Sequence, residues 1–412
     1  MALPAYFLDE LRARTPMAPL VGRRVPLQRS GRDLKGRCPF HGEKTPSFYV
    51  YADHYHCFGC GAHGDAISYV MQSQGIGFLP AVEQLAAEAG LSVPQDEAAA
   101  TTRAERAAQA SLLDAVRTLY TQRLQLGSGR PALEYLRGRG ITEASIATWG
   151  LGWSGGDSDL AAQLSQSVPQ LIDAGLMTRR ESDGVAIDFF RNRVMFPIAD
   201  TAGHVVGFGA RTLGDAQPKY LNSPETAVFA KRRTLFGLDQ ARETVRLGGS
   251  LIVVEGYLDV IAMHQAGETG TVAPLGTALT EEQLAELWRL APDPILCFDG
   301  DAAGRRACLR AVEVALPRLG AGRSLRIATL PDGTDPHDAV TAGRADMVEI
   351  LNQAVPLVLA LPNLLRAEDA GAFGLAQWRN RLTLAVDAIS DAAAAQPYRQ
   401  SALDAYFEEL AS

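Results

Sequence analysis

Between about Gly248 and Leu330, short and almost wholly apolar runs alternate with segments of helical period. Residues 251–255, 271–273, 295–299 and 325–330 predict strands, and 257–266, 281–290 and 303–316 predict the helices between them. Strands of continuous apolar character separated by helices imply a parallel sheet covered on both faces. The pattern differs elsewhere. Residues 47–51 and 55–58 read as a short hairpin, followed by helices at 65–74 and 81–89. Helical period returns at Leu112, Val116, Leu119, Tyr120 and Leu124. A further helix is expected over 131–139, opened by Pro131 and stopped by Gly140. Beyond Gly150 the period shortens, and strands at 194–198 and 205–208 are joined by Asp200-Thr201-Ala202-Gly203.

These changes of period divide the chain into an α/β and α+β multidomain protein. The expected segments are 1–94, a linker at 95–109, a mixed α+β segment at 110–247, the parallel α/β sheet at 248–337 and a helical tail at 338–412. The linker stretch is rich in Ala, Gln, Glu and Thr and has no aromatic residue, so it reads as a tether or the solvated start of a helix. The chain has 412 residues, with 47% hydrophobic and 21% charged residues, which describes a soluble globular protein. No apolar run reaches membrane-spanning length, and the N-terminus lacks a signal-peptide pattern. A cytoplasmic protein without membrane contact, and a monomer, is expected.

Metal chemistry shows first in the cysteines. Cys38-Pro39-Phe40-His41 and Cys57-Phe58-Gly59-Cys60 are two knuckles of identical internal spacing, separated by a fifteen-residue loop. Three thiolates and one imidazole make a complete tetrahedral set with no open position, the mark of one structural Zn²⁺. His54, His56 and His63 are rival nitrogens, but only His41 stands at knuckle spacing from a cysteine. The remaining thiols, Cys297 and Cys308, lie in a predicted strand and helix, which argues against a disulfide framework. Within the clip, Lys44, Phe48 and Tyr49 are candidates for contact with a nucleic-acid strand, as are Tyr51, Tyr55 and Phe58 beside them.

Carboxylates mark the carboxyl ends of the parallel strands, where open α/β sheets place ligands. Glu255 and Asp259 follow the first strand, Asp299 and Asp301 another, and Asp332 and Asp335 the last. Converging acids repel unless a cation sits among them, and hard oxygen donors favour Mg²⁺ or Mn²⁺, two ions or more. The formal net charge is −8, against general coating of nucleic acid, yet two stretches run the other way. Residues 1–50 hold nine Lys/Arg against four Asp/Glu, and residues 191–233 hold seven against three. Local cationic tracks of this kind suit phosphate contacts.

Val253-Val254-Glu255-Gly256-Tyr257-Leu258-Asp259 with Asp299-Gly300-Asp301 resembles the TOPRIM fold of topoisomerases and primases. Three further runs carry a closer likeness: Arg191-Asn192-Arg193-Val194-Met195-Phe196-Pro197-Ile198, Gly207-Phe208-Gly209-Ala210-Arg211 and Pro218-Lys219-Tyr220-Leu221-Asn222-Ser223-Pro224-Glu225-Thr226. With the zinc knuckles, they make the chain similar to bacterial replicative DNA primases of the DnaG type from about Leu34 to Asp338. The resemblance implies a nucleotidyltransferase, a DNA-directed RNA polymerase that makes short RNA primers on single-stranded DNA from ribonucleoside triphosphates. It implies Cys38, His41, Cys57 and Cys60 as zinc ligands. It also implies Glu255, Asp299 and Asp301 as catalytic metal-site acids, with Asp259 and Asp335 in support. Arg191, Arg193, Arg211, Lys219, Asn222 and Lys231 match the basic ridge that handles template and incoming nucleotide.

Two departures stand out. The last acidic motif of similar primases often reads Asp-Pro-Asp, whereas this chain has Asp335-Pro336-His337-Asp338. His337 is expected to be a spectator, with Asp338 available one position late. Family members usually continue into a helical domain that binds the replicative helicase, for which 338–412 leaves no room, so helicase coupling stays open. The rival readings are a TOPRIM nuclease, a topoisomerase-like enzyme, and a non-catalytic zinc-ribbon DNA-binding protein. No G-x-x-x-x-G-K-[ST] phosphate loop occurs in the chain, which excludes a fused primase-helicase.

Overall fold

Strict alternation of inward and outward side chains shapes the first part of the computed structural model, which describes residues 5–31, 33–91, 97–156, 160–276, 278–366 and 372–411. Strands Gln28–Ser30, Asp33–Gly36, Phe48–Val50, Tyr55–Cys57 and His63–Gly64 form a five-stranded antiparallel meander in chain order. Lys35 pairs with Tyr49, Tyr49 with His56, and His56 with His63, so these side chains share one face. The opposite face carries Phe48, Val50, Tyr55 and Cys57, all buried, against Ile67, Tyr69 and Val70 of the Ala66–Gln74 helix. Phe40, Phe48, Tyr55 and Tyr69 form one aromatic cluster, with Phe48 and Tyr55 stacked at 5.1 Å between ring centroids. Asp65 caps the helix by accepting from the Ser68 amide, which satisfies one orphan donor of the first turn.

The chain folds as two compact units, residues 1–105 and 106–412. The stretch read as a linker or helix start is helical from Glu97 onward, in one helix Glu97–Gln125 that contains this division. Positions 95 and 96 lie outside the described residues.

The second unit holds two larger sheets and a two-stranded antiparallel pair, Met177–Arg179 with Ala186–Asp188. Tyr220–Asn222, Val205–Thr212, Arg193–Ala199 and Gly152–Trp153 make a four-stranded antiparallel sheet in that order. The other sheet runs Thr271–Val272, Ile252–Val253, Ile295–Leu296 and Arg326–Ile327, all parallel, as the apolar runs predict. A fifth strand, Val355–Pro356, adds antiparallel to Arg326–Ile327. It comes from the tail expected to be wholly helical. The tail helices Leu357–Leu365, Ala372–Asp387 and Ala392–Ala411 bury Leu361, Trp378 and Leu382 in the same core as Val253, Leu296 and Val312. On the sheet's other side, Ile252, Val254 and Cys297 join a core with Phe196, Trp149 and Phe236. Among the described residues no helix is long and apolar enough to cross a membrane.

Candidate metal centres and nucleic-acid interface

In the first unit, the Cys38, His41, Cys57 and Cys60 donor atoms all lie within 4.8 Å of one another. The Cys38 and Cys60 sulfurs are 3.8 Å apart, and the Cys57 sulfur is 3.8 Å from His41 Nδ1. A tetrahedral zinc with bonds of about 2.3 Å to sulfur needs ligand separations of about 3.8 Å, so this donor set fits the ion. Burial pushes the Cys38 thiol up to about 12. Burial also opposes ionisation of Cys57, but the Ser47 hydroxyl and the Cys60 and Gly59 amides outweigh it and bring that thiol down to about 7. A metal is therefore needed to ionise the whole set near neutral pH.

Glu43 supports the site, a role that spacing alone did not reveal. Its carboxylate accepts from the Cys38 amide at 2.6 Å and the Ser47 amide at 3.1 Å, and lies 3.4 Å from His41 Nε2. That leaves His41 Nδ1 facing the sulfurs, with the second nitrogen oriented by a carboxylate, the usual arrangement around a metal-bound imidazole.

The outer face of this sheet corrects one expectation. Tyr55 is fully buried and belongs to the core, so it offers no surface to a base, and the same holds for Phe48. Its neighbour Tyr49 points the other way and meets Phe58, which is 66% exposed, at 5.4 Å. Phe58 also contacts His56 at 4.4 Å. Half-buried Lys35, paired with Tyr49, adds a cation to this face, and Lys44 is exposed in the loop between the knuckles.

In the second unit, the acids gather at the carboxyl ends of the parallel strands. Glu255 Oε1 accepts from the Asp299 amide at 3.0 Å. Asp301 caps the Ala302–Ala315 helix, accepting from the Ala303 and Gly304 amides at 2.8 Å, and these bonds hold its carboxyl low. Asp335 caps the Pro336–Ala342 helix through the Asp338 amide. Burial, then the charges of Asp335, Asp299 and Glu255, raise Asp259 to about 8. Burial, then Glu255, Asp335, Asp301 and Asp338, raise Asp299 to about 7. Asp332 stands apart, exposed and paired with Arg305 at 3.0 Å.

Among the described residues, Glu255, Asp259, Asp299 and Asp301 do not form a set with all donors within 4.8 Å, whereas Asp335, His337 and Asp338 do. The arrangement is an open acidic bowl. That suits a hard cation that keeps several waters and shares its remaining sites with phosphate oxygens.

Backbone contacts hold the bowl. The Gly300 amide donates to the Thr334 carbonyl at 2.9 Å, and a Cβ on Gly300 would stand 2.1 Å from the Pro331 carbonyl oxygen. Gly300→Ala is expected to lower stability by about 1–3 kcal/mol through this overpacking. It should also weaken metal binding, both read from thermal melts with and without divalent ion.

Cations and aromatics border the acids. Arg211 lies 4.2 Å from the centre of the Tyr135 ring and 5.8 Å from that of Tyr220, and its buried Nε has no hydrogen-bond partner. Arg139 lies close to Tyr135 and feels the charge of Asp335. Tyr135, Arg139 and Tyr220 were not singled out from the sequence, since neither period nor spacing marks them. Arg191 and Lys219 are exposed, and Lys231 is half-buried. Arg193 is buried and donates to the Lys219 carbonyl at 3.3 Å, so it supports the Lys219 loop from beneath. Both ends of the Asn222 amide are engaged. Nδ2 donates to the Leu275 carbonyl at 2.8 Å, and Oδ1 accepts from the Tyr257 hydroxyl. Asn222 therefore joins the antiparallel sheet to the acid-bearing one and is not free for template or nucleotide as expected.

Comparison with known proteins agrees with this geometry. Residues 3–101 match the CHC2 zinc finger, 119–242 the N-terminal domain of the DNA primase catalytic core, and 249–327 the Toprim domain. The crystal structure of a DNA primase domain from Pseudomonas aeruginosa is 39% identical, covers 73% of this chain and 96% of its own, and superposes with a TM-score of 0.67. The chain belongs to the DnaG-type primase family. A DnaG primase catalytic domain bound to single-stranded DNA is 36% identical, with a TM-score of 0.66 over 74% of this chain and 98% of its own. The DNA primase of Pseudomonas aeruginosa is 44% identical over 368 residues, which is 86% of this chain. The DnaG-type chain described here spans 55% of that relative's length.

Proposed function

We propose that this chain is a DNA-templated RNA polymerase that synthesises short RNA primers on single-stranded DNA from ribonucleoside triphosphates. The observation that carries the reading is the bowl of Glu255, Asp259, Asp299 and Asp335, whose charges act on one another and on Arg139. A DnaG catalytic domain of similar structure binds single-stranded DNA, which supports the same ligand here.

Mg²⁺ or Mn²⁺ held by Glu255, Asp299 and Asp301, with Asp259 and Asp335 nearby, would stabilise charge that develops on the phosphoryl oxygens. The protein does the positioning. Arg211 and Arg139 would meet the triphosphate with their guanidinium groups, and Arg191, Lys219 and Lys231 would offer cations for template phosphates. The reaction joins a primer 3′-hydroxyl to the α-phosphate of the next nucleotide, with pyrophosphate leaving. Glu255, raised by burial, would receive the hydroxyl proton. On the zinc unit, Tyr49, Phe58 and His56 offer rings for unstacked bases, with Lys44 for phosphate. With three cysteines assigned to zinc, and Cys297 and Cys308 buried without a disulfide, the cysteines support a reducing compartment, the cytoplasm.

The raised acids set a pH dependence. Asp259 and Asp299, at about 8 and about 7 when folded, still hold protons that the unfolded chain releases near pH ~4. Metal-free stability is therefore expected to fall as pH rises from about 4 toward 8. Added Mg²⁺ should raise the melting temperature more at pH ~8 than at pH ~6, as calorimetric melts would record.

The decisive test is incubation with single-stranded DNA, labelled ribonucleotides and Mg²⁺ or Mn²⁺. Short RNA whose sequence follows the template is expected. Cleavage of the DNA without incorporation would identify a nuclease, and relaxation of supercoils without nucleotides a topoisomerase-like enzyme.

A further inference from the structure

Following the last parallel strand, an imidazole sits between two carboxylates. His337 is 6% exposed, and its Nε2 lies against the Arg139 carbonyl, just past the Arg130–Gly138 helix. A carbonyl only accepts, so Nε2 carries the proton and the Nδ1 lone pair is left facing the acids. Nδ1 stands 3.4 Å from Asp338 Oδ1. Two lone pairs at that separation repel unless a proton or a cation lies between them. Asp335 completes the group, with one donor atom from each residue within 4.8 Å of the others.

A carbonyl that fixes one ring nitrogen while the other converges with carboxylates is the outer support found around metal-bound histidines. The local charge favours a cation. Asp335 and Asp338 both act on Asp299, and Asp335 also acts on Asp259 and on the guanidinium of Arg139.

We propose that Asp335, His337 and Asp338 form a mixed nitrogen–oxygen cation site beside Asp299 that prefers Mn²⁺ to Mg²⁺. Mg²⁺ sheds water reluctantly and takes oxygen donors, whereas imidazole strengthens binding of transition ions. The inference rests on the reading of this sheet edge as a divalent-metal centre, and not on polymerisation itself. It gives His337 a ligand's part, where the sequence suggested a spectator.

The zinc-loaded chain, titrated with Mn²⁺ and followed by continuous-wave and pulsed electron paramagnetic resonance, tests it. Directly bound imidazole nitrogen is expected in the Mn²⁺ spectrum and should persist under excess Mg²⁺. His337→Asn is expected to remove that coupling and weaken Mn²⁺ binding at least about tenfold, a loss no smaller than that of an outer-sphere partner. Asp338→Asn should weaken binding while keeping the nitrogen coupling, which provides a second variant should the first fail to fold. Mn²⁺ bound through oxygen alone, or nitrogen coupling unchanged in His337→Asn, overturns the proposal. Template-directed synthesis with Mg²⁺ alongside oxygen-only Mn²⁺ would sink this inference and leave the polymerase reading intact. Nitrogen coupling without any synthesis would do the reverse.

Discussion

Asp299→Ala is expected to reduce primer synthesis by on the order of a thousandfold or more while the protein stays folded and still binds single-stranded DNA. Asp299 follows the Ile295–Leu296 strand, donates its amide to Glu255, and carries a carboxyl raised to about 7 by burial and by four neighbouring acids. Its charge is unfavourable to the folded chain without a cation, so its removal relieves repulsion and leaves the backbone contact to Glu255 in place. What is lost is a ligand for ions that supply several kcal/mol of charge stabilisation. Template-directed incorporation, circular dichroism and DNA binding on one preparation check the three parts. Substantial synthesis by the variant would remove Asp299 from the metal centre.

Zinc removal, or Cys57→Ala, should unfold the first unit and spare the second. Structural zinc supplies about 10–16 kcal/mol of apparent binding energy at such sites, as much as or more than the ~5–15 kcal/mol that holds a typical domain together. Cys38 and Cys57 also belong to the unit's own core, beside Phe48 and Tyr55. Loss of the ion leaves their thiols buried without purpose and frees the loop that carries Glu43. Hydrogen exchange read by peptide should show protection lost across 33–91 after chelation and kept across 106–366. Unchanged protection over 33–91 would mean that the hydrophobic core alone suffices.

What could be read from the sequence depended on the range of the interactions that decide it. The knuckles are local, so Cys38, His41, Cys57 and Cys60 were visible in their spacing. The helix Glu281–Leu290 was legible to the residue because Thr280 and Gln283 form a capping box at its start. The apolar runs revealed a parallel sheet but overstated its strands. The stretch read as 251–255 is a registered strand only at Ile252–Val253, although Leu251 and Val254 still hydrogen-bond to the neighbouring strands. Phe48 and Tyr49 are adjacent aromatics, and only the inward position of Cys57 across the hairpin fixes which of them is buried. Asn222 looked like part of a cationic ridge, since its partner Tyr257 lies 35 residues away. The strand Val355–Pro356 was invisible because two exposed residues amid Ala- and Leu-rich helices give no periodic signal.

That short strand limits how the molecule may be trimmed. Arg326–Ile327 is paired on both sides only because Val355–Pro356 closes it, and a chain cut ahead of Val355 would present bare amides and carbonyls to its neighbours in solution. Such unguarded borders invite strand-to-strand association between molecules. Shortened versions intended for crystallisation or assay should therefore keep the polypeptide beyond Leu365, so that clumping is not mistaken for inactivity.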